Sequence, residues 1–236
     1  MSRRVGILGG SFDPIHRGHV DLGLAAQKAL ELARVFVIPT SVSPHRSMSF
    51  ASTFHRFAMV ALAVSGRPGW RASDLELRLH APSFTFATLQ RFHERGYRPT
   101  EMFFVIGADA FVDVASWKEY PRILDAAHFA VVSRPGSSVD ELPDRLPQLA
   151  SRMVRPPLDQ TMAQAALIIL INASTADVSS TAIRRLRTEG RPITGLVDLG
   201  VQQHIEQHGL YTSKLPDRRG PDGSSEPAAG RLHGQG

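Results

Sequence analysis

The chain has 236 residues, 42% of them hydrophobic, a formal charge of +5 and no cysteine. That is apolar material for one full core, and the missing cysteines exclude disulfides, thiolate zinc sites and cysteine nucleophiles, which suits a reducing cytoplasm. No apolar stretch approaches a membrane span, and Met1-Ser2-Arg3-Arg4 leads straight into an apolar run, so no signal peptide and no membrane partner are expected and the protein is expected to be soluble and cytoplasmic.

Residues 5–8 read as a short buried strand, after which Gly9-Gly10 let the backbone turn sharply and approach a ligand with no Cβ in the way. From about Gly18 a helical stripe of Val20, Leu22, Leu24, Ala25 and Leu30 begins, aiming its free N-terminal amides back at the turn. Strand, glycine turn and helix start make an anion cradle, and His16 and His19 stand in it. A lone histidine near a helix start is usually a cap or a surface residue; two of them directly after a strand and a glycine turn read as phosphate donors. Residues 33–39 read as a second buried strand, 54–64 as a helix carrying Phe57, Met59, Val60, Leu62 and Ala63, 71–77 as a third strand and 85–95 as a helix stopped by Gly96. Residues 102–106 form a very apolar fourth strand closing on Gly107, and 128–132 and 167–171 supply two more. Helices over 181–189 and 197–208 end at Gly190 and Gly209. Between Pro135 and Ala166 the pattern weakens across five prolines into a long excursion with one helix around 139–153.

Continuous apolar strands alternating with helices indicate an α/β fold: a Rossmann-like, doubly wound parallel sheet of about six strands in a single domain, residues 1–212. Residues 213–236, rich in Gly, Pro, Ser and charge, are expected to be a disordered tail. In such a sheet a ligand sits at the carboxyl ends of the strands. The residues beyond those ends are polar, glycine or aromatic: Gly9 to Ser11, Thr40 to Arg46, Ser83 to Thr85, Gly107 to Asp109, Arg134, and Ser179 to Arg184.

The spacing of Gly6, Gly9 and Gly10 matches neither G-x-G-x-x-G nor a Walker loop. What stands there, Gly9-Gly10-Ser11-Phe12-Asp13-Pro14-Ile15-His16-Arg17-Gly18-His19, resembles the H-x-G-H signature of a nucleotidyltransferase superfamily, and further segments narrow the resemblance to the bacterial nicotinate-nucleotide adenylyltransferases. These are Ile38-Pro39-Thr40 leading to Ser43-Pro44-His45-Arg46, similar to a P-P-H-K/R loop; Asp74 to Leu77; Pro82-Ser83-Phe84-Thr85 with Thr88; Ile106-Gly107-Ala108-Asp109; Trp117; Arg134-Pro135-Gly136; and Val178-Ser179-Ser180-Thr181-Ala182-Ile183-Arg184, similar to I-S-S-T-x-I-R. The resemblance runs from Val5 to Tyr211, with Ser43 standing where proline is usual and Phe84 where tyrosine is common.

The resemblance implies adenylyl transfer from ATP to nicotinate mononucleotide, with pyrophosphate leaving, a reaction in which the protein positions and neutralises. His16, His19 and Arg184 are then the catalytic candidates. ATP is met by Gly9, Gly10, Ser11, Phe12, Gly18, Gly107, Asp109, Ser179, Ser180 and Thr181. The acceptor is met by Thr40, His45, Arg46, Phe84, Thr85, Trp117, Lys118 and Arg134. Each has a plainer reading beside it. Arg184 can be a solvated arginine beside Arg185 and Arg187, Asp109 a helix N-cap, Trp117 a core residue and Asp13 a turn residue before Pro14. The ten histidines read as scattered, without metal-ligand spacing, so no protein-held metal is expected and Mg2+ should arrive with ATP.

All but three of the 27 basic residues are arginine, so genomic bias accounts for the charge as well as an acidic partner does. The interleaved aromatic and basic pattern of single-strand binders is missing, so no nucleic-acid partner is expected. Two rivals remain. A pantetheine-phosphate adenylyltransferase shares G-S-F-D-P-x-x-x-G-H but would not predict Pro44-His45-Arg46, Trp117 and the S-S-T-x-I-R segment together. A non-catalytic nucleotide- or RNA-binding protein of the same fold would not need His16, His19 and Arg184 intact.

Overall fold

A computed structural model describes residues 4–41, 49–78, 83–158 and 165–213. Its frame is one sheet of seven parallel strands: β1 (Val5–Gly10), β2 (Arg34–Pro39), β3 (Trp70–Ala72), β4 (Met102–Gly107), β5 (His128–Val132), β6 (Met153–Val154) and β7 (Ile168–Ile171). In space they run β3-β2-β1-β4-β5-β7-β6. The helices are α1 (Arg17–Leu30), α2 (Thr53–Val64), α3 (Thr85–Glu94), α4 (Ala108–Phe111), α5 (Leu142–Arg145), α6 (Ser180–Thr188) and α7 (Leu199–Gln207).

Alternation along each strand sends side chains to two separate cores, which is why the strands are apolar throughout. Leu8, Val35, Val37, Phe103, Val105 and Val132 join Val20, Leu30, Met59, Val60, Ile183, Val201 and Ile205 from α1, α2, α6 and α7. Ile7, Met102, Phe104, Phe129 and Val131 face the opposite way and pack with Leu89 and Phe92 of α3. Chain order reverses at β1, which pairs with β2 on one side and β4 on the other. A crevice therefore opens at the carboxyl ends of β1 and β4.

Several elements depart from the sequence reading. The sheet gains a seventh, edge strand, β6, because the chain beyond β5 returns to pair beside β7 for two residues before Pro156-Pro157 ends the pairing. The helix expected over 139–153 is broken into 3-10 turns around the four-residue α5, since Pro147 cannot continue a helix and restricts the residue before it. The third strand stops at Ala72. Residues 74–78 turn instead, the amides of Leu77 and Arg78 donating to the Asp74 carbonyl at 2.9 and 3.3 Å. Leu24 and Leu62, placed on the inner stripes of their helices, are 43% and 39% exposed, and Gly23 and Ala26 line the inner face of α1 in place of Leu24. The proposed tail lies outside the described residues apart from Ser213.

Candidate active site

The crevice is a cleft of about 480 Å³. Its floor is the end of β1, where Gly9, Gly10 and Ser11 meet His16 and His19 from the start of α1. Thr40 follows β2; Gly107 and Asp109 close β4 and open α4; Arg134 follows β5. Ser179, Ser180 and Thr181, at the start of α6, come in from far along the chain, and Ser83, Phe84, Thr85, Trp117 and Lys118 form another stretch of wall.

The two histidines act as a unit. Their rings stack with centroids 3.7 Å apart and 28° between planes. The His16 backbone N–H donates to His19 Nδ1 at 3.3 Å, so in the neutral His19 ring the proton sits on Nε2. His16 lies beneath, only 3% exposed, with Nδ1 lacking a hydrogen-bond partner. Burial, with Arg134 adding repulsion, pushes its pKa down to about 3, so the ring is neutral. Gly18 is tightly confined: a Cβ there would stand 3.1 Å from the Ala176 carbonyl oxygen and 3.2 Å from His16 Nδ1.

Gly107 is constrained in the same way. A Cβ on it would fall 2.4 Å from Asp109 Oδ1 and 2.7 Å from Arg134 Cδ, so these two side chains pass over a bare backbone. Arg134 Nη2 also donates to the Val178 carbonyl at 3.2 Å, joining the end of β5 to the segment that leads into α6. α6 is capped by Ser179, whose Oγ accepts from the Ala182 amide at 3.1 Å, while the Ser180 hydroxyl donates to the Pro14 carbonyl at 2.9 Å.

In the remaining wall, α3 starts at Thr85 with no side-chain cap and no acidic residue in its first turn, leaving its N-terminal amides for a ligand. The Lys118 ammonium lies 4.3 Å above the Phe84 ring, and Trp117, half-buried, meets Phe104 edge-on with centroids 6.0 Å apart. Buried Glu76 lines the cleft and accepts from the Thr88 hydroxyl; burial pushes its carboxyl up, opposed by the Ser83 and Thr88 hydroxyls and by Arg91.

Three of the sequence candidates sit apart from the lining. Phe12 is fully buried in the core with its ring edge-on to His19 at 5.0 Å, so it supports that imidazole from behind. Gly18 acts through His16. Arg184 lies at the rim, donating to Thr181 Oγ1 at 3.1 Å and to the Asp13 carbonyl at 2.7 Å, with its guanidinium 4.5 Å above the exposed Phe50 ring. His45 and Arg46 lie outside the described residues.

What the sequence reading missed is the scaffold of the loop between β1 and α1. Asp13 is its hub: Oδ1 accepts from the Ala51 amide at 3.1 Å and the Tyr211 hydroxyl at 2.7 Å, and Oδ2 from the Phe50 amide at 2.7 Å. Arg56, 1% exposed, donates to the Ser11 carbonyl at 2.7 Å and the Ser41 carbonyl at 3.2 Å, tying the ends of β1 and β2 together. One signal was available. Arg56 shares the buried stripe of α2 with Met59, Val60 and Ala63, at i, i+3, i+4 and i+7, where a charge has to be doing something specific. The histidines are also less scattered than they read, since His55, His204 and His208 gather where α2 packs on α7.

A cytidylyltransferase-like family model matches residues 7–186. A "probable nicotinate-nucleotide adenylyltransferase" of Roseiflexus sp. strain RS-1 is 39% identical over 211 residues, covering 89% of this chain and 98% of that protein. A protein of the same name from Geotalea daltonii is 35% identical, over 88% and 98%. Among solved structures, a Plasmodium falciparum nicotinic acid mononucleotide adenylyltransferase complexed with NaAD shares the fold, with a TM-score of 0.62 at 18% identity over 88% of this chain and 97% of that one.

Proposed function

The chain belongs to the nicotinate-nucleotide adenylyltransferases of the cytidylyltransferase-like family, and from that premise we propose that it transfers the adenylyl group of ATP to nicotinate mononucleotide, releasing nicotinate adenine dinucleotide and pyrophosphate. The observation that carries the reading is the stacked His16–His19 pair at the mouth of the Gly9-Gly10 turn, in a cleft of about 480 Å³ at the carboxyl ends of the strands.

A phosphate oxygen of the acceptor attacks the α-phosphorus of ATP in line. The new P–O bond forms as the bond to the β-phosphate bridging oxygen breaks, and pyrophosphate takes that electron pair. The chain's part is to position the two phosphates and to meet the charge that spreads over their oxygens. His19 Nε2–H faces the α-phosphate, His16 backs it, and the amides of Gly9, Gly10 and Ser11 with the start of α1 add oriented dipoles. The start of α6, with Ser179, Ser180, Thr181 and Arg184, takes the β and γ phosphates. Asp109 accepts from ribose hydroxyls, with Gly107 giving it room. On the acceptor side, Trp117 stacks on the pyridine ring, and Thr85 and the amides beside it donate to the nicotinate carboxylate. Lys118, Thr40, Phe84 and Arg134 complete that wall, with His45 and Arg46 assigned to the acceptor's phosphate. Residues 1–212 are assigned to a single nucleotidyltransferase domain.

Magnesium is assigned to the substrate, as MgATP. Glu76 and Asp109 are the carboxylates in the described lining, and Glu76 is engaged with Thr88, so the donor set suits a cation that keeps its waters and phosphate ligands. No described helix is long and apolar enough to cross a membrane.

The test is an acceptor panel with ATP and Mg2+, followed by pyrophosphate release. Nicotinate mononucleotide should be used in preference to nicotinamide mononucleotide, because backbone amides only donate and an amide NH2 turned toward them faces another donor. Equal use of both would refute the acid-specific pocket, and turnover of phosphopantetheine alone would overturn the assignment.

A further inference from the structure

Away from the cleft, three imidazoles meet at a helix–helix junction. His55 lies in the first turn of α2, and His204 and His208 are four residues apart at the end of α7, a spacing that places both on one helix face. One ring nitrogen from each lies within 4.8 Å of the other two, and His55 Nδ1 and His204 Nε2 are 3.0 Å apart. A tetrahedral zinc ion with Zn–N of about 2.0 to 2.1 Å needs its ligand nitrogens about 3.4 Å apart, so the cluster is nearly assembled. The backbones are held there by the core, where Met59, Val60, Val201 and Ile205 of the same two helices are fully buried.

A simple hydrogen bond between two neutral imidazoles explains the 3.0 Å contact, but not the third ring, whose centroid lies 4.9 Å from His55 and 4.5 Å from His204. His55 and His204 are half-buried while His208 is exposed, so a fourth position is left to solvent.

We propose that His55, His204 and His208 bind one Zn2+ ion, with water as its fourth ligand, in a site separate from the adenylyl-transfer cleft. Three nitrogen donors suit Zn2+ and reject Mg2+, which demands oxygen ligands, so the magnesium that accompanies ATP does not compete. The ion would clamp α2 to α7. Since Arg56, the next residue after His55, holds the Ser11 and Ser41 carbonyls, the clamp fixes the helix that supports the phosphate loop.

The test uses chelator-treated, nucleotide-free full chain, with Zn2+ titrated by calorimetry and Co2+ as the optical probe. Expected are one Zn2+ per chain, undisturbed by excess Mg2+, the intense visible bands of tetrahedral Co2+, and a melting temperature raised by several degrees at saturating Zn2+. His208→Gln, an exposed change at a helix end, should melt as the parent does without metal. Its Zn2+ affinity should fall by more than the roughly 10- to 100-fold that loss of an outer-shell partner costs. His55→Gln should behave likewise. Zn2+ binding that is equal in parent and His208→Gln proteins, or Co2+ bound without tetrahedral bands, would overturn the site.

Discussion

Replacing Asp13 by Asn keeps the shape of the hub and removes its logic. The carboxylate receives three donors, the amides of Phe50 and Ala51 and the Tyr211 hydroxyl, and nothing donates from it. An amide must turn its NH2 toward one of those backbone N–H groups whichever way it is oriented, and the Tyr211 phenol, pushed far above its usual range by burial and by Asp13, remains a donor at every accessible pH. A buried donor left unsatisfied costs about 1 to 3 kcal/mol. Loss of the negative charge beside buried Arg56 weakens the remaining bonds from charge-assisted to neutral strength, adding on the order of 1 kcal/mol. A total of about 2 to 4 kcal/mol corresponds to a melting temperature lowered by on the order of 10 °C for a domain of this size. Tyr211→Phe deletes one donor and leaves no unsatisfied acceptor charge, so it should cost only about 1 kcal/mol. Differential scanning calorimetry on both variants and on the double variant gives the coupling, and KM for ATP should rise in Asp13→Asn as the Gly9-Gly10 turn loosens. An Asp13→Asn protein melting within about 2 °C of the parent would refute the hub, since a shift that small corresponds to only about 1 kcal/mol or less.

His19→Ala should lower kcat/KM by about 10²- to 10³-fold, far more than the few degrees of melting lost with the His16 N–H bond and the ring contacts can explain; turnover within a few-fold of the parent would remove it from the chemistry. His16 is a poorer probe by truncation, since it is buried and its loss opens a cavity beneath His19. Gly107→Ala drives a Cβ into Asp109 and Arg134, so KM for ATP should rise while melting changes little, and unchanged kinetics would show that neither side chain needs its present place. Stability should fall with acid in a window to which His128 contributes alongside His16, the His128 pKa being pushed down to about 4 by burial, with Arg4 adding repulsion. The unfolded chain takes up that proton from pH 6.5 downward and the native chain does not, so the stability present above pH 6.5 is lost progressively as pH falls to about 4. Urea melts should show the loss in the parent and a smaller one in His128→Gln; equal slopes would contradict it.

The parts legible in the sequence are those encoded by contiguous residues. Strands such as Met102–Gly107 are apolar without interruption, and the Gly9 to His19 segment carries the floor of the cleft within eleven neighbours. Where the reading failed, long-range contacts or local turn energetics had decided. Residues 74–78 have the alternation of a strand, yet the hydrogen bonds to the Asp74 carbonyl and an exposed Arg78–Asp74 pair close a turn. β6 spans two residues and exists only because β7 offers an edge. Asp13 could be read as a turn residue because nothing nearby announces Tyr211, 198 positions later. The imidazole cluster hides for the same reason: His204 and His208 are spaced as a helical pair, but His55 is 149 residues from His204.

The most direct measurement of the central claim follows the label in parallel reactions of the parent and His19→Ala with nicotinate mononucleotide, Mg2+ and ATP labelled at the α- or the γ-phosphate. Adenylyl transfer at the His16–His19 pair predicts α-label in the dinucleotide and γ-label in pyrophosphate, with both signals nearly lost in the variant. Label from the γ-phosphate on the acceptor, or α-label transfer that survives intact in His19→Ala, would contradict it.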